Sequence, residues 1–183
     1  MNMFPATPNP VDADEPLHGF SQCHAGILTQ LQALSELPVL LEAAARARSV
    51  ADQTQVLFRH AVFEHHAEEE SELFPAVLRS AQPGEEHDRV QALVDRLTVE
   101  HRTMEALWKR IEPSVSAGAR GKAADIDTVV VAELVRAYSA HARFEEDHFL
   151  PLAHEILGRN GNHMAALGLS LHMRHVPPPV GYI

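Results

Sequence analysis

Residues His65-His66-Ala67-Glu68-Glu69-Glu70-Ser71-Glu72-Leu73-Phe74-Pro75 state a pattern that the chain repeats later as His141-Ala142-Arg143-Phe144-Glu145-Glu146-Asp147-His148-Phe149-Leu150-Pro151. Both reduce to His-x-x-x-Glu-Glu-x-x-apolar-apolar-Pro. A lone upstream histidine precedes each copy at nearly the same interval, His24 before His65 and His101 before His141. On a helix, positions i and i+4 stack on one face, so His65 with Glu69 and His141 with Glu145 each offer an imidazole and a carboxylate to a single point. Two helical hairpins, each contributing His…His-x-x-x-Glu, therefore bring four histidines and two carboxylates together. That is the donor set of a dinuclear metal site.

Surface helices rich in Glu and His produce a single His-x-x-x-Glu pair by chance. Two copies in register, each with a histidine upstream and a proline downstream, are far harder to obtain that way. Metal sites in helix bundles are assembled from side chains that face one another across the core, and carboxylates bridging two cations recur there. Glu69 and Glu145 are the candidate bridges, with His24, His65, His101 and His141 as nitrogen ligands. An all nitrogen and oxygen set with open positions suits iron or manganese, and zinc fits on affinity.

The whole-chain properties agree. The chain has 183 residues, 45% of them hydrophobic, and a formal net charge of −10. One well-filled core is expected at that length. The acidic balance and the lack of a basic cluster argue against nucleic acid as a partner. Thirteen histidines are an excess that metal binding explains. Cys23 is the single cysteine, which removes disulfide frameworks and Cys-rich zinc or iron–sulfur sites within one chain. No run is apolar and long enough to span a bilayer, and residues 1–16, with four prolines, read as a flexible leader, so the cytoplasm is the expected compartment.

Helical apolar spacing runs along the chain. A first helix over Leu17–Glu36 carries Phe20, Ile27, Leu28, Leu31 and Leu34, and Pro38 closes it. Val39 to Arg48 is a short Ala-rich connector. Ser49 with Asp52 resembles a capping box opening a second helix that runs to about Ala81, with Val56, Leu57, Phe63, Leu73, Phe74, Val77 and Leu78 as core candidates. Pro83-Gly84 marks a turn before a third helix from about Glu86 to Val115. A fourth starts near Asp125 or Asp127, carries Val129, Val130, Leu134, Tyr138, Phe144, Phe149 and Leu152, and ends at Gly158. A last short helix, Asn162 to about His175, precedes Pro177-Pro178-Pro179. The expected fold is all-α: an up-and-down four-helix bundle of two pseudo-repeated hairpins over residues 17–157, with a C-terminal helix and Pro-rich tail in 158–183. Pro75 and Pro151 should each kink their helix just beyond the site.

The twin elements, with His24 and His101 before them, resemble the hemerythrin-like cation-binding (HHE) domain from about Leu17 to Leu157. The resemblance implies a non-haem di-iron four-helix bundle, two iron ions with carboxylate and oxo or hydroxo bridges, in a family that binds oxygen, senses oxygen or iron, or handles nitric oxide and peroxide. One departure stands out. Oxygen-carrying hemerythrins have a His-x-x-x-His pair in the third helix, whereas here His101 is followed at i+4 by Glu105. Four histidines with two glutamates look more like the site of the iron–sulfur-cluster repair proteins that respond to nitric oxide, whose cysteine-bearing N-terminal domain has no counterpart here.

Around this set, Glu105 is either a substitute ligand or a polar neighbour. Glu72 and His148 sit two turns past His65 and His141, as a relay pair beyond the ligands or as part of a solvated bundle end. His60, His66 and Glu70 fall off the stripe defined by His65 and Glu69, which points to surface exposure. Cys23 reads as a small buried residue, with a redox-active thiol as the alternative. The expected function is binding or sensing of a small diatomic ligand, oxygen or nitric oxide. The alternatives are turnover of peroxide or nitric oxide by a di-iron enzyme, iron storage or delivery, and a zinc-filled or metal-free scaffold.

Overall fold

A computed structural model describes residues 15–159; residues 1–14 of the proposed leader lie outside them, as do the proposed C-terminal helix and tail, while Glu15 and Pro16 already belong to the first helix. The described chain is helical throughout apart from two turns. Its helices are α1 (Glu15–Leu57), α2 (Phe63–Glu68), α3 (Phe74–Ser80), α4 (Glu85–Ala119), α5 (Thr128–Phe144) and α6 (Leu150–Gly158). Three π-helical turns interrupt them, at Phe58–Val62, Glu69–Leu73 and Glu145–Phe149. The result is three uninterrupted helical stretches, over residues 15–80, 85–119 and 128–158. Among the described residues no helix is long and apolar enough to cross a membrane.

The first stretch differs from expectation. Pro38 lies inside α1 rather than ending a helix, and Ser49 accepts from the Gln53 amide at 3.1 Å within the same helix instead of capping a new one. The reason is propensity: Leu40, Leu41, Glu42 and the Ala and Arg residues up to Arg48 are strong helix formers and carry the helix past both punctuation marks. The chain divides into two compact units, residues 1–46 and 47–183. In the first, Ile27, Leu28, Leu31 and Leu34 form the anticipated apolar stripe, yet they are exposed, because a single helix has no surface of its own to bury them on. Cys23 is exposed as well, against the buried reading.

In the second unit, Gly84 and Gly121 take positive φ values of 100° and 68° and make the two turns possible. Asp127 caps α5, its carboxylate accepting from the Val129 and Val130 amides at 3.0 and 3.2 Å. α4 packs against α5 and α3, and α3 against α6. Two apolar clusters fill this unit. One joins Phe58, Val62, Met104, Leu107, Trp108, Ile111, Val130 and Leu134; the other joins Leu73, Phe74, Val77, Val90, Val94, Leu97, Phe149, Ala153 and Ile156. Val56 and Val129, expected in the core, are more than half exposed.

The order along each stretch places the site. In the first stretch Phe58 and Val62 of one cluster are followed by His66 and Glu69, then by Leu73 and Phe74 of the other. α4 runs Val94, Leu97, His101, Met104, Leu107, and the third stretch runs Val130, Leu134, His141, Glu145, Phe149. A polar layer is thus held between two apolar ones at matching heights on all three stretches.

Candidate metal centre

The two copies of the repeat share an irregularity that spacing alone did not give. At each copy a π turn begins at the glutamate itself, with Phe74 N–H donating to the Glu69 carbonyl and Leu150 N–H to that of Glu145. Pro75 and Pro151 follow within the first two positions of the next α-helix. Each lacks the N–H that would bond to the residue four back and crowds that carbonyl, and the widened turn relieves both. π turns are rare, and they concentrate at functional sites.

Among the described residues five polar ones are buried in the layer: His66, Glu69, His101, His141 and Glu145, all less than 10% exposed. With the partly exposed His65 they fall into two groups of three. One ligand atom from each of His66, His101 and His141 lies within 4.8 Å of the others, and the same holds for His65, Glu69 and Glu145. Glu69 faces both groups: its Oε1 is 3.3 Å from His65 Nε2 and its Oε2 is 3.3 Å from His101 Nε2. His141 Nε2 is 3.9 Å from Glu145 Oε2, and a carboxylate oxygen of Glu69 and one of Glu145 lie within 4.8 Å of each other.

The three buried imidazoles are oriented alike. Each turns Nδ1 outward to a carboxylate: His101 to Glu70 at 2.8 Å, His141 to Glu100 at 3.1 Å and His66 to Glu105 at 3.5 Å. Those carboxylates are themselves held by arginines. Arg102 binds Glu70 and, at 2.9 Å, Glu105; Arg96 binds Glu100 at 2.8 Å. The inward Nε2 atoms of all three rings, and Oε2 of Glu69, are buried without a hydrogen-bond partner. An unsatisfied buried polar atom costs about 1–3 kcal/mol, so four in one layer between apolar clusters need a ligand to offset them. A cation fits: a metal-bound histidine characteristically gives its second N–H to a carboxylate, which fixes the ring and strengthens the donor.

Electrostatics point the same way. Burial, reinforced by neighbouring His101, lowers the His66 pKa to about 3, so this ring is neutral and has a lone pair to give. Burial also lowers His141, against the pull of Glu100. Burial opposes charge on His101, but the Glu69 and Glu70 carboxylates outweigh it and raise its pKa. Burial and then the Glu69 hydrogen bond push the Glu145 carboxyl up to about 9, so the carboxyl pair shares a proton.

Of the residues expected from the repeat, the described structure brings His65, Glu69, His101, His141 and Glu145 together. His24 lies on α1 in the first unit, where it is exposed. Glu105 is beside the layer as the partner of His66. His148 is exposed next to the Phe144 ring, and Glu72 is half-buried. The surface reading of His66 and Glu70 is corrected: His66 is 1% exposed, and Glu70 holds His101. A signal for His66 was present, since Phe58, Val62, His66, Glu69 and Leu73 continue one helical stripe, whereas aligning the repeats selects its neighbour His65. His60 is exposed, as read.

Compared with known proteins, residues 15–153 match the family described as the Hemerythrin HHE cation binding domain. Neither the curated proteins nor the solved structures gave a match.

Proposed function

The chain belongs to the hemerythrin HHE cation-binding family, and from that premise we propose that it is a cytoplasmic non-haem di-iron protein that binds or senses a small ligand, oxygen or nitric oxide. The proposed ligands are His24, His65, Glu69, His101, His141 and Glu145. The observation that carries two ions rather than one is Glu69, whose two oxygens each face a histidine of a different group. A carboxylate placed so is suited to bridging.

When bound, the iron pair would supply one-electron chemistry and open positions for a diatomic ligand. The chain's own residues do the rest. Glu70 and Glu100 hold the His101 and His141 rings so that Nε2 faces inward. The apolar clusters on either side keep bulk water away from the layer. Glu69 and Glu145 give up their shared proton when a cation takes its place.

The test is an absorption spectrum of iron-loaded, reduced protein before and after oxygen and, separately, nitric oxide. New charge-transfer bands that appear with either gas and at a fixed ratio to protein support ligand binding. A spectrum indifferent to both gases, with iron in place, refutes it.

A further inference from the structure

We propose that His66 is itself a metal ligand, through Nε2, so that one of the two metal positions is built on three histidines, His66, His101 and His141, with one oxygen of Glu69, and the other on His65 and Glu145 with the second oxygen of Glu69. This rests on the metal-site reading above and adds to it a residue and an asymmetry. Four observations carry it. His66 is 1% exposed, and its Nε2 is buried without a partner. Its ring lies parallel to that of His101, with centroids 3.9 Å apart, and its centroid is 6.0 Å from that of His141. Its Nδ1 faces Glu105, as those of His101 and His141 face Glu70 and Glu100. Its ligand atom lies within 4.8 Å of theirs. Nitrogen ligands about 2.1 Å from a common ion sit about 3–4 Å apart, so the three rings are near that spacing, and the stacked His66 and His101 rings have to tilt towards each other to share one ion.

A merely structural histidine does not need this arrangement. At this point between apolar clusters, a leucine or phenylalanine would fill the space without an orphaned nitrogen. The consequence is two chemically different positions. The three-imidazole position favours a borderline cation such as iron(II), cobalt(II) or zinc, and the carboxylate-rich position a harder one, so divalent metal should enter the histidine position first.

Cobalt(II) is the probe, added to the full-length protein and followed by absorption and by proton NMR. A histidine bound through Nε2 keeps an Nδ1–H, which the metal shifts strongly. Buried against Glu105, Glu70 and Glu100, three such protons should be visible and slow to exchange in the wild-type protein. His66→Phe keeps a flat ring against His101 but offers no donor. It should remove one shifted line and weaken the tighter cobalt site by more than about 100-fold, beyond the 10–100-fold range expected for losing only a ligand's hydrogen-bond partner. In His66→Gly, added imidazole should restore both the affinity and the line.

Two slow lines in wild type, or unchanged cobalt affinity in His66→Phe with two cobalt ions still bound, overturns the role of His66 and leaves the dinuclear site standing. Wild-type protein that takes up no cobalt overturns both. The wild-type line count does not depend on either variant folding.

Discussion

His66 lies face to face with His101, ring centroids 3.9 Å apart and planes 5° from parallel, and each ring turns a buried, unpartnered Nε2 inward. Two buried imidazoles at that distance cannot both be charged. Their surroundings separate them: burial keeps His66 neutral, while Glu69 and Glu70 favour the proton on His101. In the metal-free protein the layer therefore sets a neutral His66 beside a more readily protonated His101 and a Glu145 carboxyl that holds its proton, and a metal ion would take the place of these protons.

That balance has a pH signature. Native Glu145 keeps its proton up to about 9, whereas an unfolded carboxyl near 4.5 releases it, so this contribution is present below pH 4.5 and is lost as pH rises through 9. Native His66 stays neutral down to about 3 while an unfolded imidazole titrates near 6.5, so its contribution is present above pH 6.5 and is lost as pH falls through 3. Chelator-treated protein should be most stable between pH 4.5 and 6.5, and should lose stability from pH 6.5 to 9. For one proton the slope is at most about 1.4 kcal/mol per pH unit. Urea denaturation across pH checks this; a midpoint that climbs between pH 6.5 and 9 contradicts the protonated Glu145.

Metal affinity should rise with pH over the same interval, because binding displaces the Glu69–Glu145 proton and any proton on His101. Calorimetry at pH 7 in buffers of different ionisation enthalpy should give between one and two protons released as the layer fills. Zero release would show that the carboxyl pair is already fully ionised.

The carboxylates that hold the rings should matter nearly as much as the ligands. Glu70→Gln and Glu100→Gln should each weaken metal binding by about 10–100-fold in chelator competition. Arg102→Ala, which frees both Glu70 and Glu105, should lie at the upper end of that range. Affinities unchanged in all three variants would mean that these contacts do not orient ligands.

Stability of the apolar layer away from the site can be tested at Trp108, which is 2% exposed and stacks on Phe58 with centroids 4.0 Å apart. Trp108→Ala should cost about 3–5 kcal/mol of unfolding free energy, measured by chemical denaturation. A loss below 1 kcal/mol would argue against this packing.

Much of this was legible in the sequence. The repeated His-x-x-x-Glu element brought out Glu69, His101, His141 and Glu145, because i, i+4 spacing and apolar periodicity are local properties that survive folding. What it missed depends on contacts between stretches. The partners of the rings sit next to ligands in sequence: Glu70 read as exposed, and no local pattern singles out Glu100 or Arg102, since only the approach of α4 to the other stretches brings carboxylates and rings together. His66 was hidden by the repeat: alignment picks His65, whereas the core stripe through Phe58 and Val62 picks His66. Pro75 and Pro151 signalled an irregularity in each copy, and the π turn that begins at the glutamate is the form it takes. Pro38 and Ser49 looked like helix boundaries, but the helix formers between them outweigh both.

The most direct measurement is metal content per chain in protein produced with iron, for wild type and for Glu69→Ala. The account predicts two irons in wild type and at most one in the variant, with loss of the absorption bands that depend on the bridged pair. Stoichiometric zinc or no metal in wild type, or two irons and an unchanged spectrum in Glu69→Ala, would contradict a dinuclear site bridged by Glu69.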